Sequence, residues 1–262
     1  MTDTDTLSEN ISAGRINDLL GRYDSLIESI SSEKPLKPGQ PSLLDLDQYR
    51  YKIAVEAFQS KQPKRQMGHD DVKKLVEWKL RHGKFRPTLM KLVSSNDGEV
   101  VRETIHEAVA QYWLDGNITK ATNAIAKLKG IGPATASLLL SVHDPDRVIF
   151  FSDEAFWWLC CSGQKSSIKY NAKEYQQLNV AADKITKRLQ VGATDIERVA
   201  YVIMKDGAPP PAPTSRVQRK PAVKENKAAE ENIPKASAKR KNSAGLDASE
   251  GPVRRSQRRK AS

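Results

Sequence analysis

Cysteine is almost missing from this 262-residue chain: Cys160 and Cys161 are the only two, and they are neighbours. Adjacent cysteines rarely bridge each other, so no disulfide framework is expected. Two cysteines make neither a four-cysteine cluster nor a zinc site without histidines at ligand spacing, and His69, His82, His106 and His143 are scattered. No metal site and no cofactor are implied, and the thiols point to a reducing compartment. Long apolar runs are lacking too, so no membrane span is expected, and the polar first residues are not a signal peptide. Alternating strand patterns are equally scarce. The longest is Arg147 to Phe151, there is no internal repeat, and the expected fold class is all-α.

Acidic residues fall short of basic ones, leaving a net charge of +11, and the surplus is unevenly placed. From Asp206 to Ser262 there are 14 Lys and Arg against 6 Asp and Glu, so residues 1–205 carry only three of the eleven. That last stretch has no Phe, Trp or Tyr and opens on Ala-Pro-Pro-Pro-Ala-Pro. It cannot bury enough apolar surface to offset ordering, and a disordered tail over 206–262 is expected. Two basic clusters stand in it: Lys239, Arg240 and Lys241, then Arg254, Arg255, Arg258, Arg259 and Lys260. Such clusters read as nuclear-import signals or as a non-specific nucleic-acid arm, and the expected location is the nucleus, with an import receptor as partner.

Taken in order, residues 1–42 hold an amphipathic helix (Ile11, Leu19, Leu20, Tyr23, Leu26, Ile27 and Ile30) and a Pro-rich connector. Whether that helix docks on the rest or serves a partner is open at this point. Residues 43–205 read as a helical domain. Helices are expected over Leu44 to Ser60, His69 to His82, Leu89 to Val93, Val100 to Trp113, Ala134 to Val142 and Ala155 to Cys161. Two more follow apparent capping boxes, Asn171 with Glu174 and Thr194 with Glu197. The segment Trp-Lys-Leu-Arg-His-Gly-Lys-Phe-Arg-Pro sets Lys79, Arg81, Lys84 and Arg86 around Trp78 and Phe85. Basic residues interleaved with aromatics suit phosphate contacts plus base stacking. The plainer reading is a solvated face whose Trp78 fills the core.

The stretch from Lys127 to Trp158 carries the most chemistry. A helix ends near Leu128, Gly130-Ile131-Gly132 breaks it, and Pro133 suits the first turn of the next helix. Glycines there let backbone N–H groups approach a phosphate at the positive end of the second helix. A buried helical pair that touches nothing is the alternative. After the pair come a turn at His143 to Asp146, the apolar run Val148 to Phe151, and Ser152-Asp153-Glu154 opening another helix.

This order resembles the helix-hairpin-helix DNA glycosylases. Leu128, Gly130, Ile131, Gly132, Thr135 and Ala136 match their hairpin signature, and Asp153 falls where their catalytic aspartate stands. The resemblance implies a glycosylase-like helical core. It implies DNA binding through Lys127, Lys129, Gly130, Ile131, Gly132 and Thr135, and base release assisted by Asp153. Lys129 replaces the usual proline. Ala134 replaces the lysine that attacks the sugar in bifunctional members, so the resemblance implies a monofunctional enzyme if there is catalysis at all. The Trp-Lys-x-x-x-Gly-Lys-x-Arg-Pro segment also resembles eukaryotic proteins without assigned function that share this hairpin. Asp153 has a competing structural role, because acidic residues favour a helix's first turn. Three readings follow: a nuclear protein binding duplex DNA with little sequence preference and no chemistry, a monofunctional DNA glycosylase, or a helical protein-interaction domain.

Overall fold

The structure, a computed structural model, describes residues 6–33, 35, 36 and 38–206. The import clusters from Lys239 to Lys260 lie outside the described residues, which all belong to one compact unit. Eleven α-helices follow one another with no strand among the described residues: α1 (Ala13–Ser32), α2 (Leu43–Gln48), α3 (Ala54–Phe58), α4 (His69–His82), α5 (Leu89–Ser94), α6 (Gly98–Asp115), α7 (Ile118–Ile125), α8 (Pro133–Ser141), α9 (Asp153–Cys160), α10 (Ala172–Leu189) and α11 (Ala193–Asp206). The all-α expectation holds, and Arg147 to Phe151 is turn and extended backbone without a strand partner. Among the described residues no helix is long and apolar enough to cross a membrane.

Local chemistry sets most of the boundaries. Ser12, Asp97, Asn117, Ser152 and Asn171 each accept a backbone N–H of the first turn that follows, which satisfies donors left over at a helix start. Ser42 and Asp45 form a reciprocal box, with bonds of 3.0 and 2.9 Å. The expected box at Thr194 and Glu197 does not form. α11 starts at Ala193, Thr194 Oγ1 has no partner among the described residues, and Glu197 is buried. Its carboxylate instead meets two residues some 147 positions earlier in the chain, Arg50 and Tyr51.

The packing is built on α8, in which every residue from Ala134 to Ser141 is buried. α4 packs on α2, α5, α6 and α8, while α9 and α10 pack on each other and on α11. The first helix docks. Ile16, Leu19, Tyr23 and Ile27 of α1 are buried against α11 and α2, so its apolar stripe belongs to the core. The segment before it is clamped as well: Arg188 donates to Ser8 O and Ile11 O, and Trp158 Nε1 donates to Thr6 O at 2.7 Å. Trp78, placed between two readings by sequence, is fully buried and donates to Asp47 Oδ1 at 2.9 Å. Its ring packs in the core, against Tyr51, His82 and Phe150.

One charge lies at the centre. Between α2 and α3 the chain makes a π turn, Tyr49–Ile53, which turns Arg50 inward. Its guanidinium is fully buried, 2.7 Å from Ser141 Oγ and 3.4 Å from Glu197 Oε2, with Tyr51 donating to the same carboxylate at 2.8 Å. Burial pushes the Glu197 carboxyl up, and Arg50 opposes that shift. Removing one partner of a buried pair leaves the other charge without compensation. Arg50→Met is therefore expected to lower stability by about 3–5 kcal/mol, read from urea denaturation. Adding Glu197→Gln to that variant restores part of the loss.

Candidate nucleic-acid interface and cleft

The hairpin is made by α7, the turn from Ala126 to Gly132, and α8. Leu128 and Ile131 point inward and are buried, whereas Lys127 and Lys129 are exposed. Asn96 fixes the turn from outside: its Nδ2 donates to Lys129 O at 2.9 Å, and Lys129 N donates to its Oδ1 at 2.8 Å.

The two glycines are there for different reasons. Gly130 has φ +76°, and a Cβ on it would sit 2.9 Å from Leu92 Cβ and 3.1 Å from Val93 N. Its glycine is required by the fold. Gly132 is extended, with φ −96°, and a Cβ there would meet nothing within 4 Å. Packing makes no demand for glycine at this second position. It is exposed at the N-terminus of α8, where backbone approach by an anion is open. Ile131 and Thr135 are covered, and their N–H groups are already donated to Leu128 O and Gly132 O, so neither of these expected contact residues reaches the surface.

A cleft of about 320 Å3 opens nearby, bounded by the end of α4, the start of α9 and the loop before α10. Asp153 lines it, and so does Ala134 of α8. Phe150, Phe151, Trp157 and Tyr170 give it aromatic walls. Asp153 does not cap its own helix. Ser152 Oγ does that, accepting from Ala155 N at 3.1 Å, and the Asp153 carboxylate accepts instead from the Tyr170 hydroxyl. Tyr170 holds a left-handed backbone, φ 53°, which for a bulky residue stores about 1–3 kcal/mol of strain. Its ring packs on Phe151 at 5.5 Å and lies under the Arg86 guanidinium at 5.4 Å. Burial and then the Asp153 bond push the Tyr170 phenol above its ordinary range, so it remains a donor to that carboxylate.

Charge in the cleft is mostly positive. Lys79, Lys84, Arg86, Lys165 and Lys205 line it against Asp153 and Glu154, and Lys205 pairs with Glu154 at 2.9 Å. Lys79 is pushed down to about 8, chiefly by burial and next by Arg86, with Asp153 acting the other way. Such a cleft draws in anions.

The basic segment singled out by sequence divides between two faces. Lys79, Lys84 and Arg86 reach the cleft, whereas Arg81 and the exposed Phe85 border a separate groove with Lys73, Lys74 and Met90. Two positions along a helix are about 200° apart, which puts Lys79 and Arg81 on opposite sides of α4. Arg81 Nε lies 3.4 Å from Glu77. The sequence reading missed Tyr170, Trp157, Lys165 and Lys205. Tyr170 stands in a segment without periodicity and reaches Asp153 across 17 residues, so no local pattern marks it. No protein-family model, curated protein or solved structure matches the chain.

Proposed function

We propose that this chain is a nuclear DNA-binding protein of helix-hairpin-helix glycosylase-like fold that grips duplex phosphates at the Gly130-Ile131-Gly132 turn. The observation that carries the reading is Gly132. It is an exposed glycine without packing or dihedral need, at a helix N-terminus, with exposed Lys127 and Lys129 before it in the turn. Backbone N–H groups read no sequence, so little base preference is expected, and affinity falls as salt rises. Duplex titrations at several salt concentrations test this. Each of Lys127→Ala and Lys129→Ala lowers the slope of log affinity against log salt by about 1 if it meets a phosphate.

A second reading, monofunctional release of a base, is favoured by the Asp153 cleft. A carboxylate held by Tyr170 in a cleft with aromatic walls is what stabilisation of a cationic sugar requires. The target nucleotide would leave the stack to reach it.

Nuclear location rests on the basic clusters of the tail. At 29.2 kDa the chain is small, so the test is a fusion to a fluorescent protein large enough to prevent passive entry. Deleting residues 234–262 is expected to leave that fusion outside the nucleus. Unchanged nuclear signal would remove the import role.

A further inference from the structure

A second, smaller cavity of about 50 Å3 shares no lining residue with the Asp153 cleft. It lies between the loop that follows α3, one face of α6 and the residues just after α8. Its inner wall is apolar, with Met67, Ile105 and Val109 buried. Two ring nitrogens set its chemistry. His143, only 3 % exposed, and the half-buried Trp113 both line it. His143 Nε2 and Trp113 Nε1 are buried atoms without a hydrogen-bond partner among the described residues. The half-buried polar groups nearer the mouth are already engaged: Ser60 Oγ accepts from Gln62 N at 2.9 Å, and Gln66 Oε1 accepts from Arg102.

The roles of the two nitrogens follow from their surroundings. His143 Nδ1 is 3.2 Å from Phe58 O, and a carbonyl only accepts, so Nδ1 carries the ring's proton. Burial pushes His143 down to about 4, which leaves the ring uncharged at neutral pH and Nε2 an acceptor. Trp113 Nε1–H can only donate. Neighbours hold both rings: Phe58 lies 5.5 Å from His143, and the Arg147 guanidinium lies 5.4 Å over Trp113. One acceptor and one donor, neither charged, thus stand in a small space with apolar walls. Buried polar groups left unpaired are costly, so a ligand that both donates and accepts is favoured there.

We propose that this cavity is a receptor for a primary carboxamide, presented as an asparagine or glutamine side chain by a protein partner. The amide N–H donates to His143 Nε2, and the amide oxygen accepts from Trp113 Nε1. Charged groups match only half of this pair. A carboxylate has no proton for Nε2, and an ammonium has no lone pair for the indole N–H.

Size narrows the class further. A single water needs about 10–15 Å3 of such space, so the cavity takes a group of several heavy atoms. It is far below the roughly 300 Å3 at which small-ligand sites begin. That excludes a whole nucleobase or sugar and leaves the tip of a side chain. Met67, Ile105 and Val109 suit the one or two methylenes behind the amide. The DNA-binding reading does not use this face, and neither reading depends on the other.

Nuclear magnetic resonance on the isotope-labelled full chain tests it, with no DNA present. The probes are acetamide, which is the carboxamide alone, and the N-acetyl methylamides of glutamine and asparagine. The same derivative of alanine has the backbone amides without the side-chain amide. Acetamide and the two amide residues are expected to move the Trp113 Nε1–H and His143 Nε2 signals saturably. The alanine derivative, acetate and N,N-dimethylacetamide bind at least about tenfold more weakly, because each lacks the terminal amide that donates and accepts. Trp113→Phe keeps a ring and removes the donor, and it weakens acetamide binding by about tenfold at an unchanged unfolding midpoint, read at His143. His143→Leu weakens it similarly, and if that variant does not fold, Trp113→Phe decides alone. No saturable shift with acetamide, the result for a cavity that takes only solvent water, overturns the proposal. So does binding undiminished in Trp113→Phe, or equal binding of N,N-dimethylacetamide or ethanol. Acetamide that binds where neither amide residue does would overturn the protein partner as its source.

Discussion

If the hairpin grips duplex DNA as proposed, Gly132→Glu is expected to lower that affinity by at least about tenfold, or 1.4 kcal/mol, with no change in the protein's unfolding midpoint. The two glycines of one turn differ in what they tolerate. Gly130 cannot take a side chain, because its backbone is left-handed and a β-carbon on it would stand 2.9–3.1 Å from Leu92 and Val93 atoms. Gly130→Ala therefore acts on folding, costing about 1–2 kcal/mol for the left-handed conformation and about 1–3 kcal/mol for overpacking. Gly132 faces open space in an extended conformation that any residue adopts. A side chain there disturbs nothing in the free protein and stands where a phosphate would approach the first turn of α8, and a carboxylate adds repulsion. Gly132→Ala gives a weaker version of the same effect without the charge. Binding is measured on the full chain and on a chain ending at residue 206, so that the basic tail does not mask the hairpin. Wild-type affinity of Gly132→Glu in the shorter chain would leave the hairpin a purely structural device, and the protein-interaction reading would then gain.

What sequence revealed of this fold was what local chemistry decides. α4 runs from His69 to His82 as periodicity and its flanking glycines demand, and Asn171 caps α10 by accepting from Glu174 N. Where a residue had a distant partner, local pattern misled. Thr194 and Glu197 have the spacing of a capping box, yet desolvation of Arg50 in the core calls for a carboxylate, and Glu197 meets that need. The π turn that aims Arg50 inward has no sequence signal of its own. The same division holds at the cleft. Asp153 and Ala134 stood out only through the resemblance to the glycosylases, in which a catalytic aspartate and, in some members, a reactive lysine hold those places. Tyr170 did not, since a strained tyrosine in an irregular loop matters only once the chain has brought it onto Asp153. Lys79 was visible as one of several cations. Its separation from Arg81 follows from helix geometry, but the cleft it lines forms only where residues of α8 and α9 come beside the end of α4.

The largest effect is expected at Asp153. If the cleft releases a base, Asp153→Asn lowers that rate by about 10²–10³-fold, the size seen when a group aimed at developing transition-state charge is lost. The substitution keeps the side chain's size and a hydrogen-bond acceptor for the Tyr170 hydroxyl, and it leaves the Ser152 cap untouched. The unfolding midpoint and duplex affinity are accordingly unchanged. What disappears is the negative charge, which attracts the cationic sugar as the glycosidic bond breaks. Tyr170→Phe has a smaller effect, about tenfold, because it keeps the charge and removes only the donor that holds the carboxylate in place. Release is read as free base from duplexes carrying alkylated, deaminated or oxidised bases. Equal rates for wild type and Asp153→Asn would separate the cleft from the chemistry. If folded wild type releases none of these bases, the glycosylase reading falls while the DNA-binding proposal is untouched.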